Sequence, residues 1–151
     1  MNSKRIEITP IGYVRRTSSK EDVKDKNLVS KVILRKDLTE ALDGVEGFSH
    51  LFIIFWMHEI SDAEKTPAKV HPRGRPELPL VGMFATRTPN RPNPVGLTLV
   101  ELVKREKNIL WVRGLDAFHG TPIVDIKPYD RWDAKTNARV PEWLKAIGLN
   151  F

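Results

Sequence analysis

The residues of this chain whose types and spacing could do chemistry concentrate in two proline-punctuated blocks. The first, GMFATRTPNRPNPVG over residues 82–96, carries Arg87, Arg91 and Asn93. Pro89, Pro92 and Pro94 fix their own φ and push Thr88, Arg91 and Asn93 towards extended conformations, so the polar side chains have little backbone entropy left to lose on meeting a ligand. Arg87 and Arg91 are planar forks suited to a carboxylate or phosphate, and Asn93 offers both a donor and an acceptor. The second block, GTPIVDIKPY over residues 120–129, opens on Gly120 and Thr121, a turn whose glycine lets another molecule approach exposed backbone N–H groups. Asp125 and Lys127 alternate with apolar residues and are either an ion pair on a strand or polar groups of a site. Tyr129 either stacks on a base or covers one end of the core.

Histidine placement narrows the chemistry. His50 and His58 flank an apolar run and, eight residues apart on a regular strand, would share a face but lie about 26 Å from each other. They do not chelate one ion in that geometry. His58 and Glu59 end the run, at the rim where a ligand would meet them. His71 and His119 add no ligand spacing such as His-x-x-x-His, so no metal site is expected. The chain has no cysteine, which removes disulfides, thiolate zinc sites and a cysteine nucleophile, and fits a reducing, cytoplasmic location. Neither Gly-x-Ser-x-Gly nor a phosphate loop of the Gly-x-x-x-x-Gly-Lys type occurs.

With 25 basic and 19 acidic residues the chain has a formal charge of +6, a balance that favours polyanionic partners such as nucleic acid. Lys65, Lys69, His71, Arg73 and Arg75, followed by Arg87 and Arg91, either track phosphates or form a solvated basic face. The longest apolar run, residues 51–57, is far short of the ~20 residues of a membrane helix, so no membrane partner is expected.

The elements that must position these groups are mostly strands. A chain of 151 residues is expected to form one domain, residues 1–151, with a real core. Apolar or β-branched runs bounded by Gly, Pro, Asn or Asp predict strands over residues 6–14, 28–34, 49–57, 80–86, 97–104, 109–115 and 122–126. A short polar connection at 105–108 makes the fifth and sixth an antiparallel hairpin. Two short helices are expected: residues 36–42, capped by Asp37 with Glu40 three residues on, and residues 141–148, with Pro141 at the first helical position. Residues 17–27 read as a polar surface loop. No strand, glycine turn and long helix unit recurs, which argues against a doubly wound nucleotide-binding sheet and for a small barrel or sandwich.

The two blocks, in this order and at this spacing, resemble the paired signature of the TsaA-like family, the TrmO-type tRNA methyltransferases. Supporting stretches are PIGYV from Pro10, GFSHL from Gly47 and GRP from Gly74. The resemblance implies a mainly β fold, a small antiparallel, non-Rossmann β-barrel with one or two short helices, that binds S-adenosylmethionine as a homodimer with pockets near the interface. It implies methylation of the exocyclic amine of N6-threonylcarbamoyladenosine next to the anticodon of threonine tRNA, with the anticodon arm as partner. By position it assigns cofactor binding to His58, Glu59, Arg87, Leu97, His119, Gly120, Thr121 and Pro122, and substrate contacts to Arg91, Asn93, Lys127 and Tyr129. His119 and Asp125 are candidates for receiving the amine proton. The chain departs from the family in carrying His119 where an acid usually precedes Gly-Thr-Pro, and residues 17–27 lack a Gln-Pro-Gly segment. Two other readings are a non-catalytic RNA-binding barrel and a small-molecule methyltransferase.

Overall fold

A computed structural model of the chain describes residues 4–60 and 67–148. In chain order the strands are β1 (Gly12–Arg15), β2 (Val29–Leu34), β3 (His50–Trp56), β4 (Lys69–Val70), β5 (Val81–Gly82), β6 (Val95–Glu106), β7 (Ile109–Arg113) and β8 (Pro122–Pro128), followed by one short helix, α1 (Glu142–Ala146). Two compact units emerge: Met1–Glu59 with Val95–Asp130, and Ile60–Pro94 with Arg131–Phe151.

The first unit is a closed antiparallel barrel in the order β1-β2-β7-β6-β3-β8. Strict alternation builds it. In β3, Leu51, Ile53 and Phe55 point inward while His50, Phe52, Ile54 and Trp56 are half-buried on the outside. In β6, Val100 turns inward while Leu97 and Leu99 stay exposed. These join Val14, Val32, Leu110, Val112 and Ile123 in one core, each such side chain stabilising the fold by roughly 1.5–3 kcal/mol on burial. Gly96 is part of the packing, because a Cβ there would fall on the Phe55 ring, and a Cβ at Gly12 would fall on the Ile33 carbonyl.

Two bulges adjust which side chains face in. Between β3 and β8, Ile54 faces Asp125 but Phe55 faces Ile123, leaving Val124 as the extra residue. Between β6 and β7, Leu102 faces Val112 but Lys104 faces Trp111, leaving Val103 extra. Each insertion flips the side-chain alternation beyond it.

The second unit contains the β4/β5 ribbon, short 3-10 turns and α1. Here the strand expected over 80–86 shrinks to Val81–Gly82, because Met83–Ala85 winds into a 3-10 turn. The Thr86 hydroxyl donates to the Met83 carbonyl at 2.8 Å, taking an acceptor that a longer strand would have used. The expected first strand starts late, at Gly12, with Ile6 and Ile8 exposed.

Both helical expectations need correction in detail. Lys36–Leu42 is 3-10 rather than α, and Asp37 is not its cap. The Asp37 carboxylate is instead gripped by the Arg35 fork at 2.9 and 3.2 Å, and these hydrogen bonds hold it below the usual carboxylate range. In α1, Pro141 is the cap residue rather than the first helical one.

Candidate functional site

The site grows from one corner of the barrel. The turn between the β7 segment and β8 places Gly120 at φ 80°, a left-handed conformation that a side chain would strain. Thr121 N–H donates to the Phe118 carbonyl at 3.2 Å and Gly120 N–H to Val14 at 2.8 Å, while Val14 N–H donates to Thr121 at 3.0 Å. The backbone donors of Gly120 and Thr121, expected to be open to a ligand, are thus engaged in fixing the turn to β1.

Arg16, one residue past β1, extends the inward alternation of Gly12 and Val14 and is only 8% exposed. Its Nη1 donates to the carbonyls of Leu115 (2.9 Å) and Ala117 (3.0 Å), and its Nε to Ser18 Oγ (2.9 Å). Burying a cation is costly, and charge-assisted bonds to carbonyls offset that cost. Among the described residues no carboxylate forms an ion pair with it. Arg16 therefore ties the 115–117 segment to the 18–22 loop.

Around this staple lies a cavity of about 210 Å³ bordered by Arg16, Ser18, Lys20, Glu59, Phe118 and His119. Lys20 Nζ meets Glu59 Oε2 at 2.6 Å and stands 5.4 Å from the centre of the Phe118 ring. His58 Nδ1 is 3.4 Å from the buried Thr121 hydroxyl. The Arg16 backbone N–H donates to His119 Nδ1 at 3.3 Å, which leaves the neutral ring with its proton on Nε2, as a donor. A second, shallower cavity of about 340 Å³ is bordered by Tyr13, Arg15, Ile33, His119 and Gly120. His119 is common to both.

His58, Glu59, His119, Gly120 and Thr121 are therefore brought together at one corner, with Pro122 beginning β8 opposite Tyr13. Other expected site residues stand elsewhere on the barrel. Leu97 is 54% exposed on the outer face of β6 and borders neither cavity. Asp125 and Lys127 pair with each other at 3.1 Å on β8, and Asp125 also accepts from Ile126 N–H at 2.9 Å. The Tyr129 ring packs edge-on against Phe52 and His50, with centroids 5.7 and 6.2 Å away.

Arg87, Arg91 and Asn93 belong to the second unit. Arg87 and Asn93 are exposed. Arg91 Nη2 donates to the carbonyls of Thr86 (2.9 Å) and Met83 (3.3 Å), while its buried Nε has no partner among the described residues. The stiff block is held partly by its own arginine.

Sequence reasoning missed Arg16, Ser18, Lys20 and Phe118. The signal for Arg16 was present: carrying the β1 alternation one step further puts a charged residue at an inward position.

Comparison with known proteins decides the family. The model of the tRNA-methyltransferase O N-terminal domain, TrmO, matches residues 17–133. The chain belongs to the TrmO family. A probable S-adenosyl-L-methionine-binding protein of Methanothermobacter thermautotrophicus is 42% identical over 134 residues, 85% of this chain and 93% of that protein. The human tRNA (adenine(37)-N6)-methyltransferase is 42% identical over 104 residues, 67% of this chain but 23% of the human protein. A solved structure titled as TrmO superposes with a TM-score of 0.72 at 33% identity, covering 91% of this chain and 64% of that one. The chain thus spans a little under two thirds of that TrmO chain.

Proposed function

We propose that this protein is an S-adenosylmethionine-dependent tRNA methyltransferase that methylates the exocyclic amine of N6-threonylcarbamoyladenosine beside the anticodon of threonine tRNA. The observation that carries the reading is the coincidence of the family match with the gathering of His58, Glu59, His119, Gly120 and Thr121 at a single charged corner. The names of the relatives support the cofactor and the class of acceptor.

The donor set suits S-adenosylmethionine. Glu59 and Lys20, paired at 2.6 Å with Lys20 near the Phe118 ring, would have to part to offer a carboxylate to a sulfonium or ammonium group, an ammonium to a carboxylate and a ring face to a cation. At about 210 Å³ the cavity is smaller than the ~300–1,000 Å³ of typical small-molecule sites, so it takes the charged end of the molecule. When bound, the cofactor supplies an already activated methyl group, so positioning is the main demand on the protein.

The chain's own residues meet that demand. Arg16 fixes the cavity wall through Leu115 and Ala117, and Gly120 allows the turn that carries His119. His119, with Nδ1 already accepting, acts as a hydrogen-bond donor through Nε2 rather than as the acceptor of the amine proton. Asp125 is held by Lys127 and the Ile126 N–H. The amine proton released on forming the new N–C bond therefore goes to solvent. It is the family resemblance, and not the cavity lining, that assigns Arg87 and Leu97 to the cofactor, Arg91, Asn93, Lys127 and Tyr129 to the substrate, and a homodimer to the assembly.

The test is incubation with S-adenosylmethionine and threonine tRNA bearing the threonylcarbamoyl group, followed by nucleoside mass spectrometry. One added methyl on that nucleoside is the expected product. RNA binding with no cofactor binding by calorimetry would instead identify a non-catalytic barrel, and turnover undiminished without tRNA would identify a small-molecule enzyme.

A further inference from the structure

The outer face of the barrel on β1, β2, β7 and β6 carries a row of residues that the site described above does not use. Strand register places Arg15 opposite Lys31, Lys31 opposite Trp111, and Trp111 opposite Lys104. The row thus crosses four strands and contains three cations, one indole and no carboxylate. Neighbouring rows are neutralised or apolar: Arg113 is bound to Glu101 at 2.7 Å, and Tyr13, Ile33 and Ile109 lead to Glu106. Glu106 reaches Lys104 at 2.8 Å. Among the described residues, Arg15 and Lys31 have no carboxylate within ion-pair distance.

Two features show that the row is organised. Lys104 stands 4.3 Å and Lys31 5.2 Å from the centre of the Trp111 ring, so the indole holds both ammonium groups in place. The Val103 bulge is what brings Lys104 there: uninterrupted alternation from the inward Leu102 would carry Lys104 inward too, but the extra residue restores it to the outer face beside Trp111. At its other end the row reaches Arg15, which borders the shallow cavity that shares His119 with the charged one.

We infer that the Arg15–Lys31–Trp111–Lys104 row is the track on which the phosphate backbone of the RNA substrate lies, leading it towards His119. Pre-positioned cations in a row that itself holds no carboxylate match a polyanionic strand. The inference rests on the tRNA-modifying function proposed above and specifies the surface that function uses. Trp111 contributes chiefly by holding the lysines, which lowers the side-chain freedom lost when phosphates bind.

The experiment measures tRNA binding of the full chain as a function of salt, for the wild type, the Lys31→Gln/Lys104→Gln double variant and Trp111→Leu. Removing two phosphate contacts should reduce the magnitude of the slope of log K against log salt by roughly 1.5 and weaken binding about tenfold near physiological salt. Trp111→Leu should weaken binding about fivefold while keeping the slope, since the charges remain. Cofactor affinity by calorimetry should be unchanged in both. Equal slope and affinity in wild type and double variant overturn the track.

Should the double variant unfold, acetylation footprinting of the wild type reads the same surface. Bound tRNA should protect Lys31 and Lys104 but not Lys36, and no protection overturns the proposal. A protein that shows this protection yet transfers no methyl group retains the track and loses the proposed reaction. A protein that methylates tRNA with the slope unaltered in the double variant retains the reaction and loses the track.

Discussion

Arg16 and Arg91 do the same job in different regions of the molecule, and the difference between them separates a closed hydrogen-bond network from an incomplete one. Each aims one guanidinium nitrogen at two backbone carbonyls, Leu115 and Ala117 for Arg16, Met83 and Thr86 for Arg91. Arg16 closes its network, with Nε bound to Ser18. Arg91 leaves Nε buried and without a partner among the described residues. A donor left unmatched in this way costs about 1–3 kcal/mol, so the proline-rich loop keeps a hydrogen-bonding capacity that the barrel corner has used up. Arg16 thus closes the barrel corner on itself, while Arg91 braces its own loop with one donor left over.

The largest blow to this contrast is Arg16→Leu. It strips two carbonyls of their donor at about 1–3 kcal/mol each, and at roughly 2–4 °C per kcal/mol the melting temperature should fall by about 10 °C. Thermal unfolding checks this, and an unchanged midpoint would remove Arg16 as a staple. Arg91→Leu should cost less, about 1 kcal/mol, because losing an orphan donor offsets part of the lost bonding. Hydrogen exchange should localise that effect to residues 83–94, and protection changes spread through the barrel strands would refute a local role.

Smaller still in stability, but decisive for function, is Arg87→Ala. An exposed arginine should shift stability by less than about 0.5 kcal/mol, while calorimetry should show weaker cofactor binding. Wild-type affinity would take Arg87 out of the site. The smallest effect belongs to the solvent-exposed clamp of Arg35 on Asp37. Because the folded state lowers the Asp37 carboxyl, mainly through its bond to Arg35, its contribution is present above the ordinary carboxylate pKa and fades as pH falls through the lowered value. Asp37→Asn should slightly flatten the acid limb of stability against pH, as expected of an exposed pair.

Much of the barrel was legible because alternation is a local signal. Residues 50–56 and 109–113 announce their inward and outward faces one residue at a time. The helix over 36–42 was misread because Asp37 looks like a cap in sequence, while the preceding Arg35 competes for its carboxylate. Residues 80–86 were misread because a threonine hydroxyl captured the Met83 carbonyl and turned the chain. At the site, His58, Glu59 and the turn at Gly120 were readable as punctuation at the ends of apolar runs. The inward position of Arg16 could be read from the β1 alternation, but its partners Leu115 and Ala117, like the Glu59 partner of Lys20, could not, since they lie far along the chain.

The irregularity at Val124 decides where an acid goes. Ile123 is fully buried and Asp125, two positions later, would point the same way on an uninterrupted strand. The extra residue turns the carboxylate outward, to meet Lys127 instead of Ile53 and Phe55. Because the partner strand has no residue opposite Val124, deleting that residue would leave Ile123 facing Phe55 and Asp125 facing Ile54 as they do now, and the carboxylate would stay on the outer face.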